Sequence, residues 1–364
     1  MAVFLSHPLF LTTAFGANHP LSIPRHSALV SLCEALDLTG PGEVQACPLA
    51  TMDTLTRFHD PAYLAALEAA SRTHSASAYV RQRYNLGSLE CPIFEGLWER
   101  ARATVGGAVL ASHLALDGDV PFHPAGGTHH GRPDRASGFC YLNDPVFAIL
   151  TLLDAGLGRI LYADLDAHHG DGVEDAFAGD ARVFSISIHE AGRWPGTGQA
   201  VRPAGRQALN LPVPRGFNDS ELDLLLAEAV LPAAARFEPE AVVVTCGTDA
   251  LAGDPLSGME LSNVALWDAV DALRGLGGRT VILGGGGYNP WTLSRCWAGL
   301  WARLSGREIP DRLPPAAAAL LASLDCDLVE EDDRKPHWSV TLADPRNERP
   351  IRPEIRELAA AARS

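Results

Sequence analysis

The chain has 364 residues and a mass of 38.7 kDa, with 47% hydrophobic and 20% charged residues; this excludes a disordered chain and leaves apolar surface for a large core. Its 44 acidic and 29 basic residues give a formal net charge of −15. That argues against general nucleic-acid binding, which relies on Lys and Arg to neutralise phosphates, and no stretch approaches the ~20 uninterrupted apolar residues of a membrane-spanning helix.

Residues 1–15 are apolar but lack a basic leader region, and read as a first strand and loop rather than a signal peptide. Helical spacing of apolar residues follows at 27–38, 61–72, 94–116, 144–155, 219–235, 264–276 and 292–304. Between these lie short, wholly apolar, β-branched runs at 159–165, 183–188, 241–246 and 280–283, as expected of strands buried on both faces of a parallel sheet. The alternation predicts one α/β domain over 1–364, a doubly wound, mostly parallel sheet with helices on both faces. Its core is expected at about 15–325, with a Pro-rich, charged peripheral segment at 326–364. The seven cysteines are scattered and include no C-x-x-C pair, which points to reduced thiols and a cytoplasmic location.

Each strand run ends in polar residues or glycine, and in open α/β sheets ligands bind beyond the carboxyl ends of the strands. After 159–165 comes Asp164-Leu165-Asp166-Ala167-His168-His169. Residues two apart on an extended segment share a face, so Asp164, Asp166 and His168 can point one way. Asp249, after the run at 241–246, would add a third protein ligand for one cation, the open arrangement of catalytic zinc. Two carboxylates with one imidazole suit Fe(II) as well. His129 and His130 stand together on the Gly-rich stretch 124–131. They read as an acid/base pair beside the metal, oriented by Asp164 and Asp171, or as metal ligands or surface residues in their own right. Gly284 to Gly287 precede Tyr288; the run permits close backbone approach and Tyr288 a donor to a developing oxyanion, although a tight turn followed by a packing tyrosine is the simpler alternative. Cys140 carries no activating neighbour and reads as buried. Phe139, beside Gly138, and Trp194 are placed as walls of a narrow slot.

Taken together, these segments resemble the histone deacetylase superfamily, most of all its class I and acetoin-utilisation branch. The resemblance rests on Asn18-His19-Pro20, LTRFHDPAYL (55–64), Glu90-Cys91-Pro92, GGTHH (126–130), SGFCYLND (137–144), DLDAHHGDGVEDAF (164–177), SISIH (185–189), PGTG (195–198), GTDALAGDPL (247–256) and GGGGYN (284–289), in order across most of the chain. It implies the arginase/deacetylase fold, with about eight strands. It further implies Zn2+ held by Asp166, His168 and Asp249, His129 and His130 paired with Asp164 and Asp171, and Tyr288 as a catalytic residue. Gly138, Phe139 and Trp194 fall on the acyl-lysine tunnel, with Leu256 and Gly286 as further substrate-binding positions. Trp194 stands where class I members usually carry Phe. Glu90 falls where the family often grips the substrate backbone with Asp, and Arg25 matches an arginine at the acetate exit. Structural K+ is implied near the zinc, at Asp164, Asp166, His168, Ser187 and Ile188, and at a second site, Phe177, Asp180 and Val183.

The activity implied is hydrolysis of N-acetyl-lysine in proteins or peptides to lysine and acetate. The alternative is an amidohydrolase acting on acetylpolyamines or other small acylated amines. Polyamine-selective relatives place Glu seven residues after the metal-binding Asp, where this chain has Leu256. A dimetal ureohydrolase would want a carboxylate at 251, which is Leu. A binding module without catalysis would normally have lost a ligand, a histidine or the tyrosine, and all are present. No nucleic-acid or membrane partner is expected, and the oligomeric state is not readable.

Overall fold

Eight strands build one sheet in this computed structural model, which describes residues 1–16 and 18–363. In chain order they are β1 (Ala2–Ser6), β2 (Val44–Ala46), β3 (Val120–His123), β4 (Ile160–Asp164), β5 (Val183–Glu190), β6 (Ala208–Val213), β7 (Ala241–Thr245) and β8 (Thr280–Leu283). Their order across the sheet is β2-β1-β3-β8-β7-β4-β5-β6 and every pairing is parallel. The four strand runs expected from the sequence are β4, β5, β7 and β8, which lie side by side at the centre. β1 lies inside the apolar opening segment.

The central strands are apolar throughout because both faces are covered. Leu161 and Ala163 of β4, Val242 and Val244 of β7 and Ile282 of β8 point to one layer. Ile160 and Tyr162, Val243, and Val281 and Leu283 point to the other. The first layer is closed by α1 (Arg25–Ala35), α8 (Asp219–Leu225), α9 (Leu231–Phe237), α10 (Asn263–Arg274), α11 (Pro290–Leu304) and α12 (Pro315–Ala322), and the second by α5 (Leu97–Leu116) and α6 (Asp144–Asp154). A π-helical turn, Leu226–Val230, joins α8 to α9, so the single helix expected over 219–235 is continuous but distorted. The remaining helices are α2 (Met52–Leu55), α3 (Pro61–Thr73), α4 (Ala78–Tyr84), α7 (Asp171–Ala176) and α13 (Pro353–Arg363).

Residues 326–364 were expected as a peripheral segment, and of these 326–363 are described. They plant Trp338, Leu342, Ile355 and Ala359 in the main core. The fully buried Arg295 of α11 ties this segment down, pairing with Asp344 at 2.7 Å and donating from Nε to the Thr341 carbonyl at 2.7 Å. Arg352 does the same against the buried Glu221 at 2.6 Å. Breaking a buried pair from one side is costly, so these ion pairs fix the path of the segment.

The register decides where the site forms. Asp164 of β4 pairs with Ser187 of β5 and with Thr245 of β7, and Thr245 pairs with Leu283 of β8. The loops that follow β4, β7 and β8 therefore leave the sheet at one level and meet above its carboxyl edge.

Candidate active site

Asp164 closes β4, and the chain then turns through its own side-chain hydrogen bonds. Asp164 Oδ1 accepts from the N–H of Asp166 at 3.1 Å, and Asp166 Oδ1 from the N–H of His168 at 2.9 Å. Asp249, in a short 3-10 turn after β7, accepts from the N–H of Ala167 at 3.0 Å. Gly286 donates its N–H to Asp166 Oδ2 at 2.6 Å. Three loops are thus stitched together by carboxylates.

The result is a group of donors, Asp166, His168 and Asp249, whose ligand atoms lie within 4.8 Å of one another. His168 Nδ1 is 2.9 Å from Asp249 Oδ2 and 3.2 Å from Asp166 Oδ1. Both aspartates are fully buried. Burial, and then repulsion from Asp166, raises the Asp249 carboxyl above its ordinary range. Burial alone would lower His168, yet Asp166 and Asp249 push it up to about 10. Two buried carboxylates on either side of one imidazole call for positive charge at this point, and the donor set fits a divalent ion.

The two histidines sit beside this group. His129 Nδ1 lies 2.7 Å from Asp164 Oδ2, and His130 Nδ1 lies 2.8 Å from Asp171 Oδ1 at the start of α7. Each ring therefore directs Nε2 away from its aspartate. Asn143 holds the stretch in place, donating from Nδ2 to the carbonyls of His129 at 3.2 Å and Gly131 at 2.9 Å. The two pairs differ electrostatically. Burial opposes charge on His129, but Asp164 and Asp166 outweigh it and raise the ring to about 9. Burial, and then the neighbouring His129, lowers His130 to about 3.

A cavity of about 540 Å³ opens above the group, lined by Glu90, His130, Gly138, Phe139, His168, Trp194, Leu256 and Tyr288 among others. Trp194, 44% exposed, stands edge-on to His130 with ring centroids 4.6 Å apart. Phe139 faces Tyr288 from the other side at 5.9 Å. Gly138 and Phe139 both have positive φ, +54° and +64°. A Cβ on Gly138 would run into Trp194 and His130, so only glycine leaves the slot open. The positive φ of Phe139 is unusual for a bulky residue and sits on the wall itself. Tyr288 is held from the backbone: its N–H donates to Asp254 Oδ2 at 2.7 Å. Gly286 lies so close to Asp249 that no side chain fits there.

Arg25 opens α1 and donates from Nη2 to the Gly285 carbonyl, its guanidinium 5.1 Å from the ring centre of Trp297. It lines a smaller space of about 60 Å³ beneath the group, together with His129, Asp166, Gly286 and Tyr288. Glu90 lines the mouth, but both its oxygens are used within the wall: Oε1 accepts from the N–H of Gly138 at 2.7 Å and Oε2 from Asn85 Nδ2 at 2.6 Å. Ser187 and Ile188 lie on β5 beside the end of β4. Phe177, Asp180 and Val183 form the turn that leads into β5, closed by hydrogen bonds from Asp180 N–H to Phe177 O at 3.0 Å and from Val183 N–H to Asp180 O at 3.1 Å.

Several residues of the site were not singled out from the sequence. Asp254 stands within the GTDALAGDPL string, Arg132 lies two residues after the histidine pair, and Tyr162 donates its hydroxyl to Asp164 Oδ2 at 2.8 Å. Glu190 and Arg193 pair at the cavity mouth. A carboxylate within a motif was the available signal for Asp254 and a basic residue near one for Arg132; for Tyr162, Glu190 and Arg193 the role follows only from the folded positions.

Residues 19–304 match the family model described as the histone deacetylase domain. The chain is 37% identical over 311 residues to histone deacetylase 6 of Arabidopsis thaliana, covering 82% of this chain and 65% of that protein. It is 34% identical over 321 residues to histone deacetylase 8 of Danio rerio, covering 86% and 84%. Against human histone deacetylase 1 it is 35% identical over 311 residues, covering 82% and 64%. The chain thus spans somewhat less than two thirds of the Arabidopsis and human proteins. A crystal structure of a histone deacetylase homologue complexed with SAHA superposes with a TM-score of 0.94 at 37% identity, with both chains fully covered. The homologue from Aquifex aeolicus gives 0.91 at 36%, again with full coverage of both. The motif strings, the parallel eight-stranded sheet and these likenesses agree, and the chain belongs to the histone deacetylase family.

Proposed function

We propose that this chain is a metal-dependent lysine deacetylase that hydrolyses N-acetyl-lysine in proteins or peptides to lysine and acetate. The observation that carries the reading is one juxtaposition. A buried Asp166–His168–Asp249 group lies at the base of a slot walled by Phe139 and Trp194, with His130 and Tyr288 bordering the same cavity. Those three residues would hold Zn2+ (Fe2+ suits the donors as well), which when bound supplies polarisation of the acyl carbonyl and an activated water near neutral pH.

The chain's own residues do the rest. The slot takes the acyl-lysine side chain in extended form and excludes water from it. His130, fixed through Nδ1 to Asp171, takes the proton of the attacking water at Nε2 and returns it to the departing amine. His129, held against Asp164 through Nδ1, acts mainly through its electrostatics rather than by proton transfer. The hydroxyl of Tyr288 donates to the oxyanion as the carbonyl becomes tetrahedral. Acetate leaves past Arg25, whose charge suits a carboxylate. Glu90 serves this reaction by holding Gly138 in place, and Leu256 gives the mouth an apolar side.

K+ is proposed at two places, one at Asp164, Asp166 and His168 with Ser187 and Ile188, the other at Phe177, Asp180 and Val183. The first lies where the end of β4 runs beside Ser187 and Ile188 of β5, and the second in the turn that leads into β5. A cytoplasmic location is proposed from the thiols: the seven cysteines are free and buried. No helix among the described residues is long and apolar enough to cross a membrane.

The test is an assay of the zinc-loaded chain against acetyl-lysine peptides and acetylpolyamines, with a chelator control. Turnover of the peptides, abolished by the chelator, is expected. Turnover of acetylpolyamines alone would assign the site to small amines.

A further inference from the structure

The two histidine–aspartate pairs look alike in sequence, but their aspartates have different second partners. Besides His129, Asp164 holds neutral donors, the Tyr162 hydroxyl at 2.8 Å and the Asp166 N–H at 3.1 Å. Asp171 holds a cation. Its Oδ1 faces His130 at 2.8 Å, while its Oδ2 takes Arg132 Nη2. Arg132 lies two residues after His130 on the same loop, so one carboxylate bridges two side chains of that loop.

The arginine is itself held at both ends. Its backbone N–H donates to the Arg135 carbonyl at 3.1 Å, and its carbonyl lies 3.0 Å from the ring nitrogen Nδ1 of the buried His59. Its other terminal nitrogen takes Asp175, on the same helix as Asp171 and one turn further along. Asp175 in turn pairs with Arg206 at 2.5 Å. Charges of alternating sign therefore run inward from the surface, Arg206, Asp175, Arg132 and Asp171, and end at His130. Arg132 side-chain exposure is 23% against 5% for Asp171, which leaves the arginine partly shielded from solvent and its pairing less screened than a surface pair.

We infer that Arg132 is the positioning residue of His130, acting through Asp171. A fork-shaped guanidinium occupying Oδ2 fixes the plane of the carboxylate and leaves Oδ1 to His130. That in turn sets the ring plane and keeps the proton on Nδ1, so Nε2 faces the reacting atoms unprotonated. Arg132 lines neither the main cavity nor the smaller space beneath the group; it distinguishes the proton-transferring histidine from its neighbour, whose aspartate has no such partner. The inference rests on the proposed deacetylase reading for its kinetic consequence, but not for its geometric one.

The experiment therefore has two readouts. In the zinc-loaded chain with an acetyl-lysine peptide, Arg132→Ala should lower kcat about tenfold with KM held within about twofold, and Arg132→Lys, which keeps the charge but not the fork, should recover part of the loss. In parallel, the Nδ1–H resonance of His130, assigned by its loss in His130→Ala, should shift or broaden in Arg132→Ala and move less in Asp175→Asn, where Arg132 still holds Asp171. An unchanged kcat with the resonance in place overturns the inference, as does a loss that lysine does not reverse with the resonance unmoved. If Arg132→Ala does not fold, the lysine and Asp175→Asn variants carry the same comparison. If the wild-type chain hydrolyses no substrate, the functional reading fails, and the resonance alone decides on Arg132.

Discussion

Asp254 accepts the backbone N–H of Tyr288 at 2.7 Å, so a buried carboxylate from the loop after β7 sets the position of the residue that ends the glycine run. The same carboxylate accepts the N–H of Leu256 at 2.9 Å, which couples the tyrosine to the cavity wall. Burial and the nearby Asp249 push Asp254 up to about 7. Asp254→Ala should lower kcat at least about tenfold by freeing the Tyr288 backbone, while Asp254→Asn, which keeps one acceptor, should lose less. Steady-state kinetics of the two variants, with melting temperatures to confirm folding, check the order.

Removing the hydroxyl of Tyr288 tests the oxyanion role directly. Tyr288→Phe should cost about 10²–10³ in kcat, the usual loss when one oxyanion donor is deleted, with little change in KM. Undiminished hydrolysis would take Tyr288 out of the mechanism.

The slot makes a steric prediction. At Gly138 even a methyl group meets Trp194 and His130, and φ of +54° is disfavoured for any L side chain. Gly138→Ala should reduce kcat/KM by about 100-fold through displacement of His130 or closure of the slot. A crystal structure of the variant would show which of the two moves.

Acid stability should be set by buried histidines away from the metal group. Burial pushes His59 and His123 each down to about 4. Between pH 6.5 and 4 the native rings stay neutral while those of the unfolded chain take up protons. The unfolded state then binds more protons, so this stability is present above pH 6.5 and is lost as pH falls toward 4, by up to about 3 kcal/mol per ring. Urea denaturation from pH 7.5 to 4.5 should show a shallower pH slope for His123→Gln than for the wild type, by up to about 1.4 kcal/mol per pH unit. Equal slopes would contradict it.

The centre of the fold was legible because β4, β5, β7 and β8 are continuous apolar runs, which only a sheet covered on both faces requires. The other strands carry weaker signals. β2 is a three-residue edge with exposed Val44, β3 is four residues long and contains Pro121, and β6 contains Asn210 and Pro212 at the opposite edge. The Asp166–His168–Asp249 group and the histidine pair were legible because their residues stand within short strings at strand ends. Arg132 and Asp254 were not, since an arginine beside a motif or an aspartate within one is ordinary until its partner on another element is known. Nor did the sequence reveal that the Glu90 carboxylate is committed to Asn85 and Gly138; its reach depends on the folded loop.

The central claim is that one divalent cation is held jointly by Asp166, His168 and Asp249. Anomalous diffraction at the zinc edge from crystals of the zinc-saturated chain measures this most directly, with Asp249→Asn as the comparison. The account predicts one strong peak between the three side chains, reduced or absent in the variant. A zinc-saturated crystal with no peak there, or with its strongest peak elsewhere, would contradict it.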